Sequence, residues 1–318
     1  MMCRLWVMGF LVAGVAGLAA AGPPVVPDVS RYDSVLKKFV LDNGRVRYGE
    51  LRGELGPLDT FVSQMALVSP RSHPDLFPSS DARLAYWINA YNALVLWAFA
   101  SDYPEGKDRL GGLLGRGNFF YRRKFTLGGE KFTLARIEND VIRKGFPEPR
   151  IHFALVCASE SCPWLARDAY TAANLDEILD RETRRFLNQE RNVSMDAGKQ
   201  ILTLSKLFDW YGGDFGRTPE DILSFVARYR KDADTLTTRR WAIRFFHYDW
   251  SLNDAARPAE ATPRARGPSP LIQHRAARAD LACQAAAGSG TISRWRSARM
   301  PSTAEISPWT CTGPKPSA

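Results

Sequence analysis

Beyond its first 21 residues the sequence has no apolar run long enough to cross a bilayer as a helix, so a bundle of membrane-spanning helices is excluded. It has no long-period repeat, which excludes a solenoid or a propeller. It lacks a regular strand–helix–strand beat, which argues against a doubly wound parallel sheet and for α+β. Histidine is scarce, at four, and cysteine numbers five. The cysteine spacings match no common structural zinc pattern, so no metal is expected and no other cofactor is implied.

The basic balance, +9 overall, does not imply nucleic acid. Residues 254–318 hold eight Arg and Lys315 against Asp254, Glu260, Asp280 and Glu305, about +5 of that total. The segment is rich in Ala, Pro, Ser and Gly and poor in large apolar residues, so it reads as a disordered basic tail. The remainder is nearly balanced and offers no folded basic face, so no nucleic-acid partner is expected.

What is present begins with an export signal. Arg4 gives a positive start, Leu5 to Leu18 is apolar but shorter than the roughly 20 residues of a span, and Ala19-Ala20-Ala21 is a small-residue cleavage site. Residues 1–21 are therefore expected to be removed, leaving no stable membrane span and a periplasmic or secreted protein. In that oxidising setting four cysteines remain: Cys157, Cys162, Cys283 and Cys311.

Residues 28–253 have the mixed texture of one globular domain. Helical spacing runs through Tyr32–Val40, Leu58–Ala66, Ala82–Ala100, Leu134–Lys144, Leu175–Glu190 and Pro219–Tyr229. Hairpins are expected around Gly128-Gly129 and Asp196-Ala197-Gly198, with a last strand near Trp241. Ile151 to Val156 is bulky on both alternating faces and predicts a buried strand, from which the chain emerges at Cys157 into a loop ended by Pro163. That loop is expected to edge the main concave site.

Five separated motifs carry a family resemblance. They are Tyr86-Trp87-Ile88-Asn89-Ala90-Tyr91-Asn92-Ala93; Ile137-Glu138; His152 to Ser159 with Ser161-Cys162-Pro163; Trp210-Tyr211 with Asp214-Phe215; and Tyr248 to Asn253. In this order they resemble the domain of unknown function 547 family, over residues 31–253. The resemblance implies a domain boundary and no known chemistry. Members read Ile-Glu-His where this chain has Ile137-Glu138-Asn139, and plant members have Ser in place of Cys162.

Cys157 and Cys162 invite several readings. They form a structural disulfide stapling the loop, or Cys157 is a nucleophile, or the pair cycles in thiol redox chemistry. Active redox pairs usually sit closer together in sequence. Zinc on His152, Cys157 and Cys162 is the weakest reading. In a regular strand His152 and Cys157, five apart, face opposite ways, so His152 reads as a satisfied, half-buried histidine. A base for Cys157 is then sought at His247, with His73 less constrained. Asn89 and Asn92 share a helix face; they tie it to loop backbone, or they orient a catalytic histidine or an oxyanion. Glu138 reads as a solvated or paired carboxylate. The aromatics suit core packing or a binding groove.

Two function classes lead. One is a cysteine-dependent hydrolase or transferase acting by acyl transfer, with Cys157 as nucleophile and His247 as base. The other is a non-catalytic envelope binding module with a structural Cys157–Cys162 disulfide. Partner and oligomeric state are left open.

Overall fold

The computed structural model describes residues 24–257, apart from 107, 110 and 111. The expected signal segment and the tail beyond Arg257, with Cys283, Cys311 and His274, lie outside the described residues. No described helix is long and apolar enough to cross a membrane.

Helix α1 (Val29–Phe39) is opened by Asp28, which accepts from the Ser30 N–H, and buries Tyr32, Val35, Leu36 and Phe39. Short α2 (Tyr48–Gly53) and α3 (Gly56–Leu67) follow. Tyr32 of α1 stacks on Phe61 of α3, with ring centroids 5.1 Å apart.

Helix α4 (Ser80–Ser101) is the centre of the fold. Ser79 caps it by accepting from the Ala82 N–H. From Leu84 to Leu96 every side chain is buried. A helix buried on all sides must be surrounded, and among the described residues α2, α3 and the segment Ile137–Arg143 pack against it.

The hairpin expected at Gly128-Gly129 is formed by β1 (Phe125–Leu127) and β2 (Glu130–Phe132), antiparallel, with both glycines at positive φ. Leu134–Arg136 starts as α-helix and continues as a π-helical stretch, Ile137–Arg143. Helix α5 (Leu175–Leu187) precedes β3 (Val193–Asp196) and β4 (Ile201–Leu204), an antiparallel pair. Helical turns at Leu207–Trp210 and Gly212–Phe215 lead to α6 (Pro219–Tyr229), whose start carries a Thr218/Asp221 capping box. Strand β5 (Ala242–Phe245) then pairs parallel with β4. Helices around one core with two small sheets make the fold α+β, as the patterning implied.

Two expectations are corrected here. Residues 151–156 are not a strand. Pro149–Phe153 is a 3-10 turn begun by Pro149 and capped by Glu148, and the chain to Cys157 is irregular. Nor does the chain emerge at Cys157: Cys157, Ala158, Ser159 and Cys162 are all buried. The loop remains inside because distant segments satisfy its polar groups. Glu160 N–H donates to Ser251 O, Ser161 N–H to Asp249 O, and Asn253 N–H to Ala158 O. Packing also continues past Asn253, since the Ala255 N–H donates to Val46 O.

Candidate active site

The cysteine loop is clamped from two sides. From α4, Asn92 Nδ2 donates to Ala154 O at 2.8 Å while its Oδ1 accepts the Val156 N–H at 2.9 Å. Asn89 makes the same two-way bond with Tyr170, at 2.7 and 3.0 Å. Both amides are thus tied to loop backbone, and neither orients a histidine. From the other side the Tyr248–Asn253 segment runs along Ala158–Ser161. Between the clamps Ala158 has φ of +66°, uncommon for a residue with a Cβ.

A cavity of about 20 Å³ adjoins this loop, lined by Tyr91, Glu138, His152, Leu155, Cys157, Cys162, Pro163, Leu207, Tyr211 and Tyr248. Each of the five resemblance motifs contributes to it. Its volume accommodates about one water molecule.

Both cysteines are free thiols, so the expected staple between them is not formed. They hydrogen-bond to each other, and Tyr248 Oη lies 3.4 Å from both sulfurs. Cys157 Sγ also lies 3.1 Å from Ser159 Oγ, but only Cys162 accepts a backbone N–H. Its sulfur accepts the Cys157 backbone N–H at 3.0 Å and the Tyr248 hydroxyl, while Tyr248 in turn accepts from Ser159 Oγ at 2.9 Å. Burial opposes ionisation of Cys162, but the bonds from the Cys157 thiol, Tyr248 and the Cys157 N–H outweigh it and lower the pKa. Burial and the neighbouring sulfur push Cys157 upward. Of the two sulfurs, Cys162 is the one whose surroundings favour the thiolate.

The histidine beside the pair is not the expected one. His247 is exposed and does not line the cavity. Its neighbour Tyr248 points inward instead. His73 bonds Ser72 Oγ through Nδ1 and also lies outside the cavity. His152 does line it, because residues 149–153 form a 3-10 turn and the strand rule that set it opposite Cys157 does not apply. His152 is fully buried rather than half-buried, at 4 % exposure. Its Nε2 lies 2.8 Å from Asp214 Oδ2, and its ring stacks on Tyr211 with centroids 4.1 Å apart. Burial lowers the His152 pKa, against the raising effect of Asp214.

Asp214 is gripped by Arg143, whose Nε and Nη2 donate at 2.6 and 2.9 Å. Burial resists its ionisation, yet the bonds from His152 and Arg143 hold its carboxyl well below the usual carboxylate range. Glu138 is the opposite case. It is buried, not solvated, in the π-helical stretch, and accepts from Tyr211 Oη at 2.7 Å and from Tyr91. Burial pushes its pKa to about 8 despite those bonds and the Arg143 charge. One acid in the site is thus ionised and the other holds a proton near neutrality, a division that environment alone creates.

Among the described residues no group of three or more His, Cys, Asp or Glu is placed to hold a metal ion. Sequence reasoning named neither Asp214 nor the three tyrosines of the cavity as contributors. Tyr91, Tyr211, Asp214 and Tyr248 stood within resemblance motifs, the one signal that could have found them.

Residues 77–187 match the family model described as "Protein of unknown function, DUF547", in support of the resemblance. The matched stretch includes α4, Glu138, His152 and both cysteines, while Tyr211, Asp214 and Tyr248 lie beyond it and join the same cavity through the fold. No curated protein and no solved structure is detectably similar to the chain.

Proposed function

We propose that the protein is an exported cysteine-dependent hydrolase or transferase that works by acyl transfer at this cavity. One observation carries the reading: a thiolate position, an Asp-held histidine and a protonated carboxyl converge on a single buried space. Three chemically distinct groups in one cavity are more than packing needs, since each buried polar group must be compensated.

The roles follow from the environments. Cys162 sulfur attacks the acyl carbon and forms a thioester. Glu138, protonated below about pH 8, gives its proton to the leaving group. His152, held by Asp214, takes a proton from the water or acceptor that attacks the thioester, and Cys162 departs as thiolate. The proton on His152 then returns to Glu138. Substrate entry requires lining side chains such as Leu155 and Leu207 to part, because the closed cavity holds only about one water molecule.

The test is acylation of the full chain by short-chain p-nitrophenyl esters, read by intact mass and peptide mapping. The expected result is a transient adduct on Cys162, absent in Cys162→Ser, with turnover lowered at least about 100-fold in His152→Ala. No adduct, or one that persists in Cys162→Ser, would sink the reading in favour of a binding module. The leader at Arg4 to Ala21 supports export, and N-terminal sequencing of protein recovered outside the cytoplasm is expected to begin near Gly22.

A further inference from the structure

Acyl transfer needs one sulfur, and the site holds two. Cys157 and Cys162 are neighbours in space: the Cys157 N–H donates to Cys162 Sγ at 3.0 Å, both sulfurs share the Tyr248 hydroxyl at 3.4 Å, and the same clamped loop holds them. Both sulfurs have hydroxyl neighbours, Cys157 having Ser159 Oγ at 3.1 Å, but only Cys162 also accepts a backbone N–H. The cavity they line has the volume of about one water, so hydrogen peroxide, with two oxygens, enters with a small movement of the lining while larger oxidants need a wider opening.

We propose that this pair is a reversible redox couple that reacts with small hydroperoxides, with Cys162 as the attacking sulfur and Cys157 as the resolving one. The Cys162 thiolate attacks the distal oxygen of ROOH; the O–O bond breaks and RO⁻ leaves, taking the Glu138 carboxyl proton to become ROH, and Glu138 regains a proton when the restored Cys162 thiol ionises. Cys162 is thereby oxidised to sulfenic acid by two electrons and the hydroperoxide is reduced. The Cys157 sulfur then attacks the Cys162 sulfur, the S–O bond breaks, and hydroxide leaves as water with the Cys157 proton. A disulfide forms, and a dithiol reductant returns both thiols by exchange. The inference rests on the proposed assignment of Cys162 as thiolate, and the disulfide would withdraw the acylating sulfur until it is reduced.

Geometry favours resolution over further oxidation. A sulfenic acid at Cys162 would already have its partner thiol in hydrogen-bond contact. Both sulfurs are buried, so a dithiol reductant or an alkylating probe reaches them only when the lining side chains part.

The experiment uses the full chain, reduced, freed of reductant and exposed to hydrogen peroxide at a few equivalents. Remaining thiols are then alkylated and the peptides mapped. The expected product is a Cys157–Cys162 linkage that dithiothreitol reverses. Cys157→Ser should accumulate a sulfenic acid at Cys162 that dimedone traps, and Cys162→Ser should leave Cys157 alkylatable. The proposal is overturned if Cys157 and Cys162 stay alkylatable while reference thiols oxidise, or if Cys157 in Cys162→Ser oxidises as fast as Cys162 does in Cys157→Ser. Linkage without any acyl adduct would remove the acyl-transfer reading and leave this one. An acyl adduct without linkage would do the reverse. Should either variant fail to fold, the linkage in the unaltered chain decides alone.

Discussion

Asn92 on α4 bonds both Ala154 O and the Val156 N–H, and so replaces a missing β-ladder with one side-chain amide. Both backbone groups sit in buried residues. Asn92→Ala leaves a donor and an acceptor unpaired, at about 1–3 kcal/mol each. Chemical unfolding should register a loss of at least about 2 kcal/mol. Asn89→Ala should behave alike, since it strands Tyr170 in the same way. A loss below about 0.5 kcal/mol at both positions would mean that water replaces the amides.

That relationship also explains what the sequence concealed. Period and caps were enough for α4, α6 and the Gly128-Gly129 hairpin, because those bonds are local. The segment 151–156 has a strand's bulk and burial, but its backbone partners come from Asn92, about sixty residues earlier, and no pattern within the segment reports that. His247 and Tyr248 differ by one position, and only the path of the chain decides which faces the thiols. Glu138 appeared as one charged residue on a helix. Its burial depends on Tyr91 and Tyr211, brought to it from elements far apart in sequence. The tertiary fold, more than residue type, sets which of these groups titrates near neutrality.

Glu138 should imprint a pH dependence on stability. Its folded pKa is raised from 4.5 to about 8. Between those values the folded state holds a proton that the unfolded state has released. Its favourable contribution is therefore complete below about pH 4.5 and is lost as pH rises through about 8. Each pH unit in that window is worth up to about 1.4 kcal/mol. Glu138→Gln keeps the shape and cannot ionise. The difference in stability, variant minus wild type, should grow from pH 5 to pH 8 and then level off. A difference that is flat with pH would show that Glu138 is ionised in the folded protein throughout.

Asp214 can be tested without a substrate. It raises the His152 pKa against burial, so Asp214→Asn should move the His152 titration to still lower pH. Proton NMR of the imidazole signals against pH checks this directly. The variant also leaves Arg143 without its carboxylate, so a modest loss of stability is expected alongside. If turnover is found, it should fall by about 100-fold or more, because the ring loses both its orientation and its counter-charge. An upward shift of the His152 titration would contradict the assigned pairing.

The last prediction concerns the back of the cysteine loop. Gly44 has φ of +74°, and a Cβ built there would lie 2.4 Å from the Cβ and Cγ of Trp164. Trp164 follows Cys162-Pro163, with the Arg185 and Arg191 guanidinium groups 4.6 and 5.4 Å from its ring centre. Arg191 also donates to Glu160 O and Cys162 O, at 2.6 and 3.2 Å. A methyl group at Gly44 meets two penalties: about 1–2 kcal/mol for the left-handed backbone and about 1–3 kcal/mol for overpacking. Gly44→Ala should therefore lower stability by about 2 kcal/mol or more. It should also speed alkylation of Cys162, because Trp164 must shift and loosen the loop. Gly53→Ala is the control: it ends a helix, has no positive φ and has open space around its Cβ position. That change should be neutral or stabilising by up to about 1 kcal/mol. Equal effects at the two glycines would falsify the contact, and a destabilised Gly44→Ala with unchanged Cys162 reactivity would confine it to packing alone.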